Sequence, residues 1–145
     1  GFLPYKDFPK LIVMIALNAV GCAIAAFIAS YCSSDALVAN LQTIIDARLT
    51  ASWHKVVVTS VGTGMIMTLA VYGARQKHYL PLLFGVPVFI LCGLPHCVAD
   101  AFYYLTVPTD FLFAHLGEVL CFYLAIVIGN FIGCNFYRIV TGASA

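Results

Sequence analysis

Four long apolar runs constrain this sequence more than any short motif does. They cover residues 11–32, 56–73, 79–106 and 111–137, with short polar segments between them. Roughly 20 apolar residues are needed for one helical crossing of a bilayer. Of the 145 residues, 63% are hydrophobic and 9% are charged, whereas soluble domains have about 25% charged residues. We therefore expect an all-α integral membrane protein, with residues 1–145 forming a single domain of four transmembrane spans.

The Lys and Arg residues predict how these spans are oriented. An even number of spans places both ends on one side, which also holds five of the seven basic residues: Lys6, Lys10, Arg75, Lys77 and Arg138. Arg48 and Lys55 fall on the other side. Cytoplasmic loops are enriched in Lys and Arg. We expect both termini of this chain in the cytoplasm, with the protein in the plasma (inner) membrane.

The sequence contains no motif for binding metal, haem, a nucleotide phosphate or nucleic acid. The six cysteines lack the paired spacing of a zinc or haem-attachment site. There is no Gly-rich phosphate loop and no His-Glu-x-x-His sequence. The net charge is +1 and the basic residues are scattered, which argues against nucleic acid as a partner. We expect a non-enzyme that binds no metal and no cofactor.

The third apolar run contains a predicted helix break at Gly93 and Pro95. Proline has no backbone N–H and clashes with the preceding turn, and glycine adopts conformations that other residues avoid. His96 follows directly, at a depth where an ionisable group must face protein or a water-filled path. Asp100 would lie one turn later on the same helix face. Both residues are candidates for a substrate pathway; alternatively, His96 simply bonds a carbonyl that Pro95 leaves unpaired.

Two asparagines occur in similar contexts in the first and last spans. Asn18 is followed by Gly21 and Cys22, and Asn130 by Gly133 and Cys134. Such pairs indicate an internal repeat of the kind that transporters use to build a binding site. We include both asparagines among the pathway candidates. Hydrogen bonding between helices is the alternative explanation.

These residues resemble the formate/nitrite transporter (formate channel) family. The segment Gly93-Leu94-Pro95-His96-Cys97-Val98-Ala99-Asp100 is similar to Gly-Phe-Glu-His-x-x-Ala-Asn in the broken fifth helix of that family. Leu69-Ala70-Val71-Tyr72 and Gly129-Asn130-Phe131-Ile132-Gly133 are similar to segments of the neighbouring helices, in the same order and spacing. The resemblance covers nearly the whole chain.

The resemblance implies a fold and a function. This chain would supply the last four helices of a six-helix, aquaporin-like subunit in a homopentamer. Each subunit would pass small monovalent anions, such as formate or nitrite, or their neutral acids, together with protons. His96 would be the central pore histidine, Phe89 a constriction residue and Asn130 a pore-facing asparagine. Arg48 lies near the position of a pore-region lysine.

The chain also departs from the family pattern. Pro95 replaces a glutamate, Asp100 an asparagine, and Gly64 an asparagine expected in the second span. An ionised Asp100 would repel an anion unless burial protonates it or His96 pairs with it. The first two helices of the family have no counterpart. The sequence is then either part of a longer protein or a variant that needs a partner chain.

Two other functional classes remain open at this stage. One is a haem-binding redox protein, which would need two axial ligands at similar depth, whereas only His96 of the four histidines is deep. The other is a non-transporting structural subunit of a membrane complex. A channel or transporter for small anions is the interpretation that we favour.

Overall fold

The part of the chain that the structure describes is built from α-helices. The computed structural model describes residues 8–32 and 35–141, and those ranges contain no strand. The helices are α1 (Phe8–Cys32), α2 (Asp35–Leu49), α3 (Trp53–Arg75), α4 (Leu80–Leu91), α5 (Cys97–Thr106), α6 (Thr109–Ala114) and α7 (Leu116–Thr141). The all-α prediction is confirmed. Lys6, one of the residues used to predict orientation, lies outside the described ranges.

Three helices in the described ranges are long and apolar enough to cross a membrane. They are Ile12–Cys32 within α1, Trp53–Arg75 and Leu116–Phe136 within α7. A helix of 21 residues is about 31 Å long, close to the thickness of the hydrocarbon core. These helices correspond to the first, second and fourth predicted spans. The last begins at Leu116 rather than 111, because His115 ends the short helix α6 and its ring nitrogen lies 3.1 Å from the Phe111 carbonyl.

The predicted third span is divided between α4 and α5, as the sequence indicated. Gly93 has a φ of +61°, the left-handed conformation that commonly ends helices. The N–H of Gly93 donates to the Ile90 carbonyl and that of Leu94 to the Phe89 carbonyl. These two bonds form a Schellman cap. By contrast, Pro87 lies inside α4 without ending it.

The chain forms two compact units, which we describe separately. The α3–α4 unit comprises residues 52–96 and 124–145, and the α1–α5 unit comprises residues 2–51 and 97–123. Helix α7 is divided between them: residues 116–123 belong to the α1–α5 unit and residues 124–141 to the α3–α4 unit. That residues 1–145 form a single transmembrane domain stays a prediction.

Within the α3–α4 unit, α3 and α7 pack through glycines. A Cβ added to Gly133 would overlap the carbonyl of Val61, and one added to Gly129 would lie 2.6 Å from the Cβ of Ser60. A Cβ on Gly64 would overlap the backbone of Asn130. The two backbones approach so closely that only glycine fits, as at many helix contacts in membranes.

Within the α1–α5 unit, α2 is a separate helix that packs against α5. It ends at Leu49 and a turn at residues 50–52 precedes α3, so α2 is not a continuation of the second span. Leu41 and Ile45 of α2 are buried in an apolar cluster with Tyr104, Val107 and Val119. This packing fixes the position of Arg48, which lies at the end of α2.

Candidate functional site

His96 is the last residue of the break between α4 and α5. Its ring lies against that of Phe89, with ring centroids 5.3 Å apart and the planes tilted by 33°. Phe89 is buried near the end of α4, and His96 is partly buried. The Schellman cap turns the chain back after Leu91, which explains how residues seven positions apart come into contact. Two predicted pathway residues are therefore neighbours.

Asn130 of α7 holds the break in place. Its side-chain Nδ2 donates to the Pro95 carbonyl at 3.2 Å and to the Ser60 carbonyl at 2.9 Å. The Asn130 residue is only 6% exposed, so these bonds form in a nearly water-free environment. A backbone carbonyl left unpaired there would cost free energy comparable to a lost hydrogen bond. Asn130 thus connects α7, α3 and the segment that ends at His96.

In the α1–α5 unit, Arg48 and Asp100 form an ion pair. The Nε of Arg48 donates to Oδ1 of Asp100 at 3.0 Å, and the two side chains are 12% and 2% exposed. The sequence left open whether protonation or His96 would neutralise Asp100; the structure supplies the guanidinium of Arg48. Neither terminal Nη group of Arg48 donates a hydrogen bond within the described residues. Those groups are the donors that an anion would recognise.

The remaining candidates from the sequence are Asn18, Gly93 and Pro95, and they differ in how far they are buried. Asn18 is exposed on α1, whereas Asn130 is buried, so the two similar motifs have different surroundings. Pro95 is buried, and Gly93 is exposed with open space where a Cβ would point. Gly93 is therefore required for its φ angle alone. The roles of all these residues in a pathway remain proposals.

Sequence reasoning missed two buried polar groups. The hydroxyl of Tyr104 and the Oδ1 of Asn135 have no hydrogen-bond partner within the described residues. Tyr104 belongs to the apolar cluster against α2, and its ring packs edge-on against Tyr123. Asn135 donates from Nδ2 to the Phe131 carbonyl at 2.8 Å. A buried asparagine in the last span was a usable signal, because polar side chains in spans need partners. The position of Tyr104 near the end of a predicted span suggested an aromatic residue at the membrane surface, and no sequence pattern predicted its burial.

Comparison with known proteins gives one match. No curated protein and no solved structure is matched by this chain. The formate/nitrite transporter family matches residues 6–142, which is nearly the full length. The matched range contains the break at Gly93 and Pro95, His96 and Asn130. The chain therefore belongs to the formate/nitrite transporter family, whose members are membrane channels and transporters of small anions and not enzymes.

Proposed function

We propose that this chain provides the membrane pathway for a small monovalent anion such as formate or nitrite. The anion crosses together with a proton, and His96 is the central histidine of the pathway. The observation that supports this most is the position of His96. It lies in a helix break against a buried aromatic ring, in a chain whose family transports small anions. Family membership also favours transport over the haem-binding and purely structural alternatives.

The physical reason for a histidine is the cost of moving charge through a membrane. A bare ion cannot cross about 30 Å of hydrocarbon without hydration or neutralisation. An imidazole exchanges a proton near neutral pH. His96 can therefore donate a hydrogen bond or a proton to an anion that has left water. The anion then passes the apolar stretch beside Phe89 as a neutral acid or as a hydrogen-bonded pair.

The other candidate residues have distinct parts in this mechanism. Asn130 is a positioning residue, since its bond to the Pro95 carbonyl keeps the segment before His96 in one conformation. In the α1–α5 unit, Arg48 attracts the anion through Nη groups that donate to none of the described residues, and Asp100 orients the guanidinium and makes the pair neutral. A net-neutral pair binds an anion weakly enough to release it, as conduction requires. Asn18 would contact the pathway only from the exposed side of α1.

Assembly and location complete the proposal. The family resemblance supports a homopentamer, and the distribution of Lys and Arg supports cytoplasmic termini in the plasma (inner) membrane. The bilayer itself is then the main partner of the exposed apolar faces.

The test is uptake of labelled formate or nitrite into liposomes that contain the purified protein. His96→Asn keeps a hydrogen-bonding side chain but cannot titrate. Wild-type uptake should depend on pH, because the imidazole passes a proton to the anion, and the variant should lose that dependence. His78→Asn is the matched control, because His78 is exposed in the turn between α3 and α4. Protein-free liposomes give the passive flux of the neutral acid.

The pH profile distinguishes this role from a structural one. A variant that is slower but retains the wild-type pH profile would contradict the proposal, since His96 would then only support the fold. Equal loss of pH dependence in His78→Asn would contradict it too.

A further inference from the structure

The α3–α4 unit contains a cleft that is separate from the residues of the transport proposal. It has a volume of about 350 Å³. Its lining comes from one face of α3 and from one residue of α7: Met67, Thr68, Val71, Tyr72, Arg75 and Cys134. Neither His96, Phe89 nor Asn130 lines it, so the cleft needs an explanation of its own.

The cleft is apolar at one end and charged at the other. Arg75 is the last residue of α3, and Met67 lies eight residues earlier. At 1.5 Å per residue, these positions are about 12 Å apart along the helix axis. Helix α3 is long and apolar enough to cross a bilayer, and a crossing helix of this length has Arg75 at its surface end and Met67 within the hydrocarbon. The cleft therefore has a charged end and an apolar end, as a phospholipid has a charged headgroup and apolar acyl chains.

No Asp or Glu side chain of its own unit neutralises the charge of Arg75. Residues 52–96 and 124–145 contain no Asp or Glu. The guanidinium makes no hydrogen bond or ion pair within the described residues. Lys77, two positions later, adds a second positive charge at the same end of α3. The surface end of the cleft is thus complementary to an anion.

We propose that this cleft binds an anionic phospholipid. The lipid phosphate pairs with Arg75, and the aromatic ring of Tyr72 lies beside the headgroup. One acyl chain lies along Val71 and Met67. Arginine binds phosphate through two parallel hydrogen bonds, and basic pockets between helices at the cytoplasmic surface are known to hold anionic headgroups. A zwitterionic lipid fits the same shape but lacks the net negative charge.

Tryptophan quenching by brominated lipids tests this directly. Trp53, the sole tryptophan, lies at the opposite end of α3 and is replaced by Phe. Tyr72→Trp then reports from the cleft. Tyr79→Trp is the matched control, because Tyr79 is equally exposed, at 63% against 62%, but does not line the cleft. The protein is reconstituted with dibrominated phosphatidylglycerol or phosphatidylcholine as a minor component.

The expected result is a preference confined to the cleft. Quenching of the Tyr72→Trp protein should favour phosphatidylglycerol by roughly fivefold in apparent affinity, the equivalent of about 1 kcal/mol per basic residue at a membrane surface. Tyr79→Trp should show a much smaller preference. Arg75→Gln should abolish the preference at Tyr72→Trp, whereas Lys77→Gln, which removes the same charge outside the cleft, should largely retain it.

Three results would overturn the proposal. Equal quenching by both lipids at Tyr72→Trp would mean that the headgroup is not recognised. Equal effects of Arg75→Gln and Lys77→Gln would mean that a general surface potential attracts the lipid. An absence of quenching by either lipid would mean that a protein segment covers the cleft.

Discussion

Asp100 illustrates how one neighbour changes the role of a side chain. Alone, its carboxylate would repel the anions that the family transports. With Arg48 at 3.0 Å, the pair is neutral overall and retains donors for an anion. Both residues were pathway candidates from the sequence. Their pairing could not be predicted, because they are 52 positions apart and only the packing of α2 on α5 brings them together.

We expect the two charges to depend on each other for stability. Arg48→Gln and Asp100→Asn should each lower the free energy of unfolding by about 3 kcal/mol, because each removes this ion pair while the remaining charge stays buried. The double variant should lose clearly less than the sum of the two. Unfolding of all three variants in mixed detergent micelles measures this coupling. Additive losses would show that the contact has no energetic role.

Gly93 is required for its backbone conformation and not for space. Gly93→Ala should lower the free energy of unfolding by about 1 to 2 kcal/mol, the cost of a left-handed conformation for an L-residue. Gly62→Ala is the control, because Gly62 is helical and has equally open space at its Cβ position. That control should be neutral or slightly stabilising. Thermal unfolding in detergent compares them, and a Gly93→Ala protein as stable as wild type would contradict the assignment.

At the scale of helices, the contact between α3 and α7 depends on glycines that face each other. Rows of small residues occur in α1 as well, but a Cβ at Gly21 would meet nothing within 4 Å. A row of small residues in a sequence does not by itself indicate whether it forms a helix contact. The structure assigns the close contact to Gly64, Gly129 and Gly133.

Gly133→Ala should therefore push α7 away from α3. Its methyl group would overlap the Val61 carbonyl, and we expect a loss of about 1 to 3 kcal/mol, the usual cost of overpacking. Gly117→Ala in the same helix has open space and should be tolerated. Thermal unfolding of both variants in the same detergent provides the comparison. Equal stability of the two would show that α3 and α7 are free to move apart.

The predicted third span shows where residue patterns are reliable for helices and where they are not. The combination of Gly93 and Pro95 ends α4 as expected, because left-handed glycine closes the Schellman cap. Pro87 alone does not break α4. Helices in membrane proteins tolerate proline when neighbouring groups satisfy the freed carbonyl. Proline by itself was therefore a weaker signal than the pair.

At the scale of the whole molecule, the acidic residues are segregated. All six belong to residues 2–51 and 97–123: Asp7, Asp35, Asp46, Asp100, Asp110 and Glu118. The α3–α4 unit contains Lys, Arg and His residues but no Asp or Glu. An excess of positive charge in the unit that contains His96 favours anions over cations on electrostatic grounds alone.

The orientation of the molecule can be measured at the two ends of α3. Ser52 and Gln76 are exposed and flank this helix at its N- and C-terminal ends. With both termini in the cytoplasm, Ser52→Cys in intact cells should react with an impermeant maleimide, because it lies outside. Gln76→Cys should react only after permeabilisation. The parent protein, with its six cysteines, sets the background. The reverse labelling pattern would contradict the orientation.

The sequence by itself determined that this is a membrane protein, that it is all-helical, where one helix breaks, and to which family it belongs. Each follows from local properties: apolar run length, backbone geometry at Gly93 and Pro95, and short motifs in order along the chain. The tertiary structure decided which groups meet, namely Arg48 with Asp100, Asn130 with the Pro95 carbonyl, and Arg75 with an apolar cleft. Those contacts join residues that are distant in the chain, so they depend on how helices pack and not on any pattern within one segment.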